Sequence, residues 1–231
     1  MKINHLTEEQ IYEMVTLQNN LNVKTNGENW KSGVTKDGKV INWDTAILTE
    51  ATELIDSFAW KWWKNIETPD DIENAKIEVT DIWHFMISKG LLKYDAKDLT
   101  VYISEFANAD LVFTKLDYID NVKEFMLSIL RETVFGEYHL IDFYRLVYLI
   151  PNFTMKDVYK LYIAKNTLNK FRQDNGYATG TYIKSWLKDD VHVEDNVVMS
   201  DIIETLDIDG DFANKLYSEL DKVYTNVKTN K

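Results

Sequence analysis

Cysteine is absent from all 231 residues. That removes disulfides, thiol nucleophiles and thiolate metal sites, and leaves packing to hold the fold. Proline occurs only twice, at Pro69 and Pro151, and glycine eight times. Little therefore interrupts a helix, and apolar residues recur at three- and four-residue spacing through most of the chain. Basic residues are outnumbered, 26 against 38 acidic ones, for a formal net charge of −12. A surface of that sign repels phosphate backbones and excludes a general binder of nucleic acid polymers. Any polyanionic substrate must be held by a metal or by a local basic cluster. No apolar run of about 18 residues and no basic-apolar leader is found, so neither membrane insertion nor secretion is expected, and a reducing cytoplasm is.

What is present, 45% apolar and 13% aromatic residues, is ample for a core. The periodicity predicts one all-α domain over 1–231, a multi-helix bundle with helices near 7–22, 44–63, 70–90, 97–113, 118–134, 138–149 and 154–173, and two short ones within 198–226. Thr7 with Gln10 reads as a capping box, and Thr154 as a cap after Pro151. Asp37-Gly38, between Val34 and Val40, reads as a turn rather than a hairpin. Residues 91–150 carry no matching motif and are read from helical periodicity alone, as a less-matched and mobile helical subregion of the same domain.

Two acidic pairs, Glu50 with Glu53 and Glu78 with Asp81, stand at i, i+3 on successive helical segments. Chance would produce roughly six such pairs from this composition, so the spacing says little. Placement says more, because both pairs lie in strongly apolar sequence and share a helix face with core-type residues such as Ile47, Leu54, Ile82 and Phe85. The connector between the segments is short, which predicts an antiparallel hairpin with the four acids nearly level. Carboxylates crowded in this way repel one another unless a cation lies between them. Hard oxygen donors without sulfur select Mg²⁺, or Mn²⁺. His84 follows Asp81 by three residues, at a spacing open to a ligand but more typical of a residue behind the ligands or in the core.

Two further stretches carry polar chemistry. Lys165, Asn169 and Arg172 form one stripe at i, i+4, i+7 and are followed by a loop with Gly176 and Gly180. Arg172 could fork onto phosphate oxygens, glycine would let backbone N–H groups approach them, and Tyr177 and Lys184 add donors; the alternative is a solvated helix end. Gln18 and Asn22 stand at i, i+4 on the first helix. Their amides offer both donor and acceptor, as reading a nucleobase edge requires, or they are simply solvated.

Taken together, "LQNNLN" at 17–22, "EATELIDSFAWKWWKN" at 50–65, "EVTDIWHF" at 78–85 and "KNTLNKFRQDNGYATGTYIK" at 165–184 resemble the dimeric all-α dUTPases of trypanosomatids, some bacteria and phages. The resemblance implies a homodimeric Mg²⁺-dependent pyrophosphohydrolase of a bacterial or phage-infected cytoplasm, which cuts dUTP to dUMP and pyrophosphate and accepts dUDP. It implies Glu50, Glu53, Glu78 and Asp81 as metal ligands, with Glu53, or else Glu50, as the base. Gln18, Asn22 and Asn169, with Trp63 of the 60–63 tryptophan stretch, would face the base and sugar. Lys165, Arg172, Tyr177 and Lys184 would hold phosphates. A dCTP-cleaving or broader deoxynucleotide pyrophosphatase is the alternative. A di-iron protein would need Glu-x-x-His on two helices, which only Asp81 with His84 approaches. A non-enzymatic helical interaction protein would need neither level acids nor the basic loop.

Overall fold

The computed structural model of the chain describes residues 6–63, 69–107, 118–132, 134–188 and 191–229. Nine α-helices run among them: α1 Glu8–Asn26, α2 Trp43–Asp56, α3 Ile72–Lys93, α4 Ala96–Ala107, α5 Tyr118–Arg131, α6 Glu137–Leu149, α7 Met155–Asp174, α8 Asp195–Glu204 and α9 Phe212–Thr229. One antiparallel pair, β1 Ser185–Lys188 with β2 Val191–Glu194, is the exception to the all-α architecture among the described residues. The chain divides into two compact units, Met1–Tyr162 and Ile163–Lys231.

In the first unit the helices start where the sequence offers side-chain acceptors to orphan N–H groups. The Thr7 hydroxyl accepts from Gln10 N–H and the Gln10 side chain accepts from Thr7 N–H, a capping box. Asn42 and Asp71 accept at the starts of α2 and α3. Thr154 behaves differently from the simple cap expected of it, since its N–H and hydroxyl both donate to the Asp157 carboxylate. The unit is built around α3. Ala75, Val79, Ile82, Trp83, Met86 and Ile87 are all fully buried, and a helix apolar around its circumference belongs at the centre of a bundle. Helices α1, α2, α4 and α6 pack on it.

Helix α2 ends at Asp56, seven residues before the expected Trp63. Its buried stripe, Ile47, Ala51, Leu54 and Phe58, meets Lys61 at the next position, so continuing the helix would bury a charge rather than a side chain that packs. A polar hinge closes the chain instead. Asp71 N–H donates to Ser57 O at 2.7 Å, Ala59 N–H to the Asp70 carboxylate at 2.7 Å, and Asn74 Nδ2 to Ser57 Oγ at 2.9 Å. Trp60, Trp62 and Trp63 are exposed and meet edge to face. At Asp37-Gly38 the turn closes a single bridge, Val34 to Val40, and goes no further towards a hairpin.

The second unit packs the end of α7, the β-pair, α8 and α9 around Phe171, whose ring meets Trp186, Tyr217 and Tyr224 at 5.2–6.2 Å. The strands escaped the sequence reading because each is four residues long and β1 turns only Trp186 fully into the core. Helix α9, expected to be short, spans 18 residues.

Candidate active site

Glu50 lies six residues before the end of α2 and Glu78 six after the start of α3, each ~9 Å from its helix terminus, so the hinge brings them level. Ligand oxygens of Glu50, Glu78 and Asp81 all lie within 4.8 Å of one another. Glu53, expected as the fourth member, is exposed and outside this triad, although its charge is felt at Glu50. Burial first, then the charges of Asp81, Glu53 and Glu78, push the Glu50 carboxyl up to about 8. Three converging carboxylates, one of them raised by burial and by its neighbours' charge, could hold a hard divalent cation. His84 belongs elsewhere.

The amides of α1 are buried, Gln18 2% and Asn22 3% exposed, which overturns the solvated alternative. Gln18 Oε1 accepts from Tyr162 OH at 2.9 Å and faces His84 Nδ1 at 2.7 Å; Gln18 Nε2 donates to Ser88 Oγ at 2.9 Å and to Asn22 Oδ1 at 3.2 Å. Asn22 Nδ2 donates to Ser88 Oγ at 3.0 Å, and Ser88 Oγ donates back to His84 O. Tyr162 OH also faces Met14 O at 2.9 Å, and its one hydrogen is divided between the two acceptors. Asn22 spends the N–H and carbonyl edge of its amide on Ser88 and Gln18. The imidazole of His84 stacks on Tyr162 at 3.9 Å and, because it faces an acceptor, carries its proton on Nδ1.

In the second unit, Lys165, Asn169 and Arg172 share the expected stripe, but Arg172 is not an open fork. Its Nε and Nη2 grip both oxygens of the fully buried Asp195 at 2.9 and 2.7 Å, Nη2 also reaches Asn196 Oδ1 at 3.1 Å, and Nη1 reaches Asn169 Oδ1 at 3.0 Å. Four of its five N–H groups are engaged, so a bidentate grip on phosphate is closed to it in this arrangement. Tyr182 OH donates to Asp195 as well, at 2.7 Å. Lys165 Nζ donates to Asn196 Oδ1 at 3.2 Å, and the exposed Lys184 pairs with Glu194 at 3.0 Å. Gly176 and Gly180 do not present bare amides either: both have positive φ and flank a tight turn in which Thr179 N–H and Thr181 N–H donate to Gly176 O, and Gly180 N–H to Tyr177 O. Tyr177 is half exposed.

The sequence reading missed Ser88, Tyr162, Tyr182, Asp195 and Asn196. Ser88 stands four residues after His84 and Tyr162 three before Lys165, so helical spacing was a usable signal for both. Asp195 had none, because the unforeseen β-pair is what carries the chain to it.

No helix among the described residues is long and apolar enough to cross a membrane. No curated protein matches the chain at a significant level. A family model described as dUTPase matches residues 10–177, which takes in the acidic triad, the α1 amides and the Lys165–Arg172 stripe. The chain therefore belongs to the all-α dUTPase family, nucleotide pyrophosphohydrolases that cleave dUTP.

Proposed function

We infer that the protein is a Mg²⁺-dependent, homodimeric cytoplasmic dUTPase that converts dUTP to dUMP and pyrophosphate, and dUDP to dUMP and phosphate. The observation that carries this reading is the triad of Glu50, Glu78 and Asp81, with oxygens within 4.8 Å on the α2–α3 hairpin. These three, joined by Glu53, are the residues that would hold Mg²⁺, or Mn²⁺ in its place. A cation there supplies charge neutralisation for the phosphates and acidifies water. Glu53, exposed beside the triad, is free to take the proton of the attacking water as general base. Gln18 and Asn22 are the amides on the base side of the site. Asn169 and Trp63 bound the sugar and base. Lys165, Tyr177 and Lys184 are the phosphate donors, with Lys184 exchanging Glu194 for the substrate. Arg172 contributes its one remaining N–H and, chiefly, fixes Asn169.

The test is pyrophosphate release from dUTP, dCTP, dTTP and UTP, and phosphate release from dUDP, with Mg²⁺, Mn²⁺ or a chelator. Metal-dependent release from dUTP at least ~10²-fold more efficient than from dCTP is expected. Equal efficiency on the two would make the enzyme a broader deoxynucleotide pyrophosphatase.

A further inference from the structure

We propose that Asp195 is a positioning residue: acting through Arg172, it holds the Asn169 amide with its oxygen spent within the protein and its N–H bonds turned to the nucleotide, so that Asn169 serves as a donor and never as an acceptor. The inference rests on Asn169 facing the nucleotide.

The β-pair puts Asp195 in place. Ser185 stands opposite Glu194, and Asp195 N–H donates to Lys184 O at 3.0 Å, so the first residue of α8 is pinned where the pair ends. The positive end of the helix favours a carboxylate there, but the side chain is fully buried, and burial of a charge demands donors as well as a dipole. Three are present: Arg172 Nε at 2.9 Å, Arg172 Nη2 at 2.7 Å and Tyr182 OH at 2.7 Å. Asn196, the next residue of α8, accepts from Arg172 Nη2 as well, at 3.1 Å. A fork engaged at both prongs and along one side has its plane fixed.

A fixed guanidinium dictates the amide beside it. Arg172 Nη1 donates to Asn169 Oδ1 at 3.0 Å, three residues back on the same face of α7. A guanidinium has five donors and no acceptor, so the Asn169 amide cannot turn over without setting N–H against N–H. Its oxygen is therefore occupied. The two hydrogens of Nδ2, on a half-buried side chain, meet no acceptor among the described residues and remain for a ligand. Such a group can meet a carbonyl, hydroxyl or phosphate oxygen of the nucleotide, and it refuses a donor.

The experiment is a double-mutant cycle on kcat/KM for dUTP in Mg²⁺, with Asp195→Asn and Asn169→Ala made singly and together. Asp195→Asn sets an amide nitrogen among the donors of Arg172 and Tyr182, which releases the guanidinium and with it Asn169, so kcat/KM should fall by ~10-fold or more. In the Asn169→Ala background the same change should cost less than ~2-fold, because nothing is left to orient. A merely structural role would lower kcat/KM by the same factor in both backgrounds. That result, or an unchanged kcat/KM in the single Asp195→Asn protein, overturns the proposal. Wild-type kcat/KM in Asn169→Ala would instead remove the reading beneath, that Asn169 faces the nucleotide. Asn169→Asp keeps an oxygen for Arg172 and replaces the donor by an acceptor, so it should lose at least as much as Asn169→Ala, and activity retained in it overturns the donor role. If Asp195→Asn does not fold, Tyr182→Phe, which removes the third donor to Asp195, takes its place in the cycle. A several-fold fall that vanishes in Asn169→Ala is then expected, and equal effects in both backgrounds, or none in either, overturn the proposal.

Discussion

Glu53 and Arg172 are both polar residues of the proposed site, yet they stand in opposite situations and should fail in opposite ways. Glu53 is exposed and holds nothing together, so Glu53→Gln should leave the fold and its melting temperature intact while kcat falls ~10²-fold or more. Measuring kcat at saturating Mg²⁺ alongside thermal melting checks this; near-wild-type turnover would return the role of base to Glu50. Arg172 is the opposite case. Among the described residues its guanidinium is the one cation paired with the fully buried Asp195, and removing one partner of such a pair leaves a charge without compensation. Arg172→Ala should therefore cost ~3–5 kcal/mol in stability as well as activity, read from urea unfolding. A variant that lost turnover but kept full stability would show that Arg172 works as an open phosphate ligand and that Asp195 is dispensable to it.

At the scale of elements, the sequence was most informative where one local rule decided the outcome. Thr7 with Gln10 opened α1 because a capping box is complete within four residues, and α3 was readable because its apolar character runs around the whole helix. The triad was legible for a similar reason: two acidic pairs on one hairpin need only helical geometry and a hinge to meet. What escaped depends on contacts distant in sequence. The Asp70, Asp71 and Asn74 hinge ended α2 early, and the β1–β2 pair delivered Asp195 to Arg172. The glycine loop was located, but the conformational need for its glycines was not legible, because it depends on the Thr181 side chain. Gly176 has φ +93°, and a Cβ there would stand 2.0 Å from Thr181 Oγ1. Gly176→Ala should thus be destabilising by ~2 kcal/mol or more, from left-handed strain and the clash together. The fall in urea midpoint checks it, and a change within ~0.5 kcal/mol would mean that the turn is not held in this form.

For the whole molecule, two buried groups predict opposite pH dependences that a cation should separate. Burial, with Lys89 Nζ 3.4 Å from Nε2, pushes His139 down to about 4, and Gly136 N–H donates to its Nδ1. The unfolded histidine, near 6.5, binds the proton more readily than the folded one, so stability is lost as pH falls from about 6.5 to 4, by ~2–3 kcal/mol in all. Glu50 has the reverse sign. Its folded carboxyl holds a proton up to about 8 where the unfolded one releases it near 4.5, so its contribution is complete at low pH and is lost as pH rises between those values. Between 4.5 and 6.5 the two slopes oppose each other. Above 6.5 only Glu50 acts, and the metal-free protein should lose ~1–2 kcal/mol by pH 8.5, allowing for partial exposure of the carboxyl. A cation on the triad needs Glu50 ionised, which abolishes that decline. Mg²⁺ at 100 times its dissociation constant should add ~2.7 kcal/mol, with the addition growing towards high pH. Urea midpoints at pH 5, 6.5 and 8.5 in chelator and in Mg²⁺ measure both effects. A decline above 6.5 that persisted unchanged in Mg²⁺ would mean that the cation binds away from Glu50, and no Mg²⁺ effect at any pH would remove the triad from consideration as the metal site.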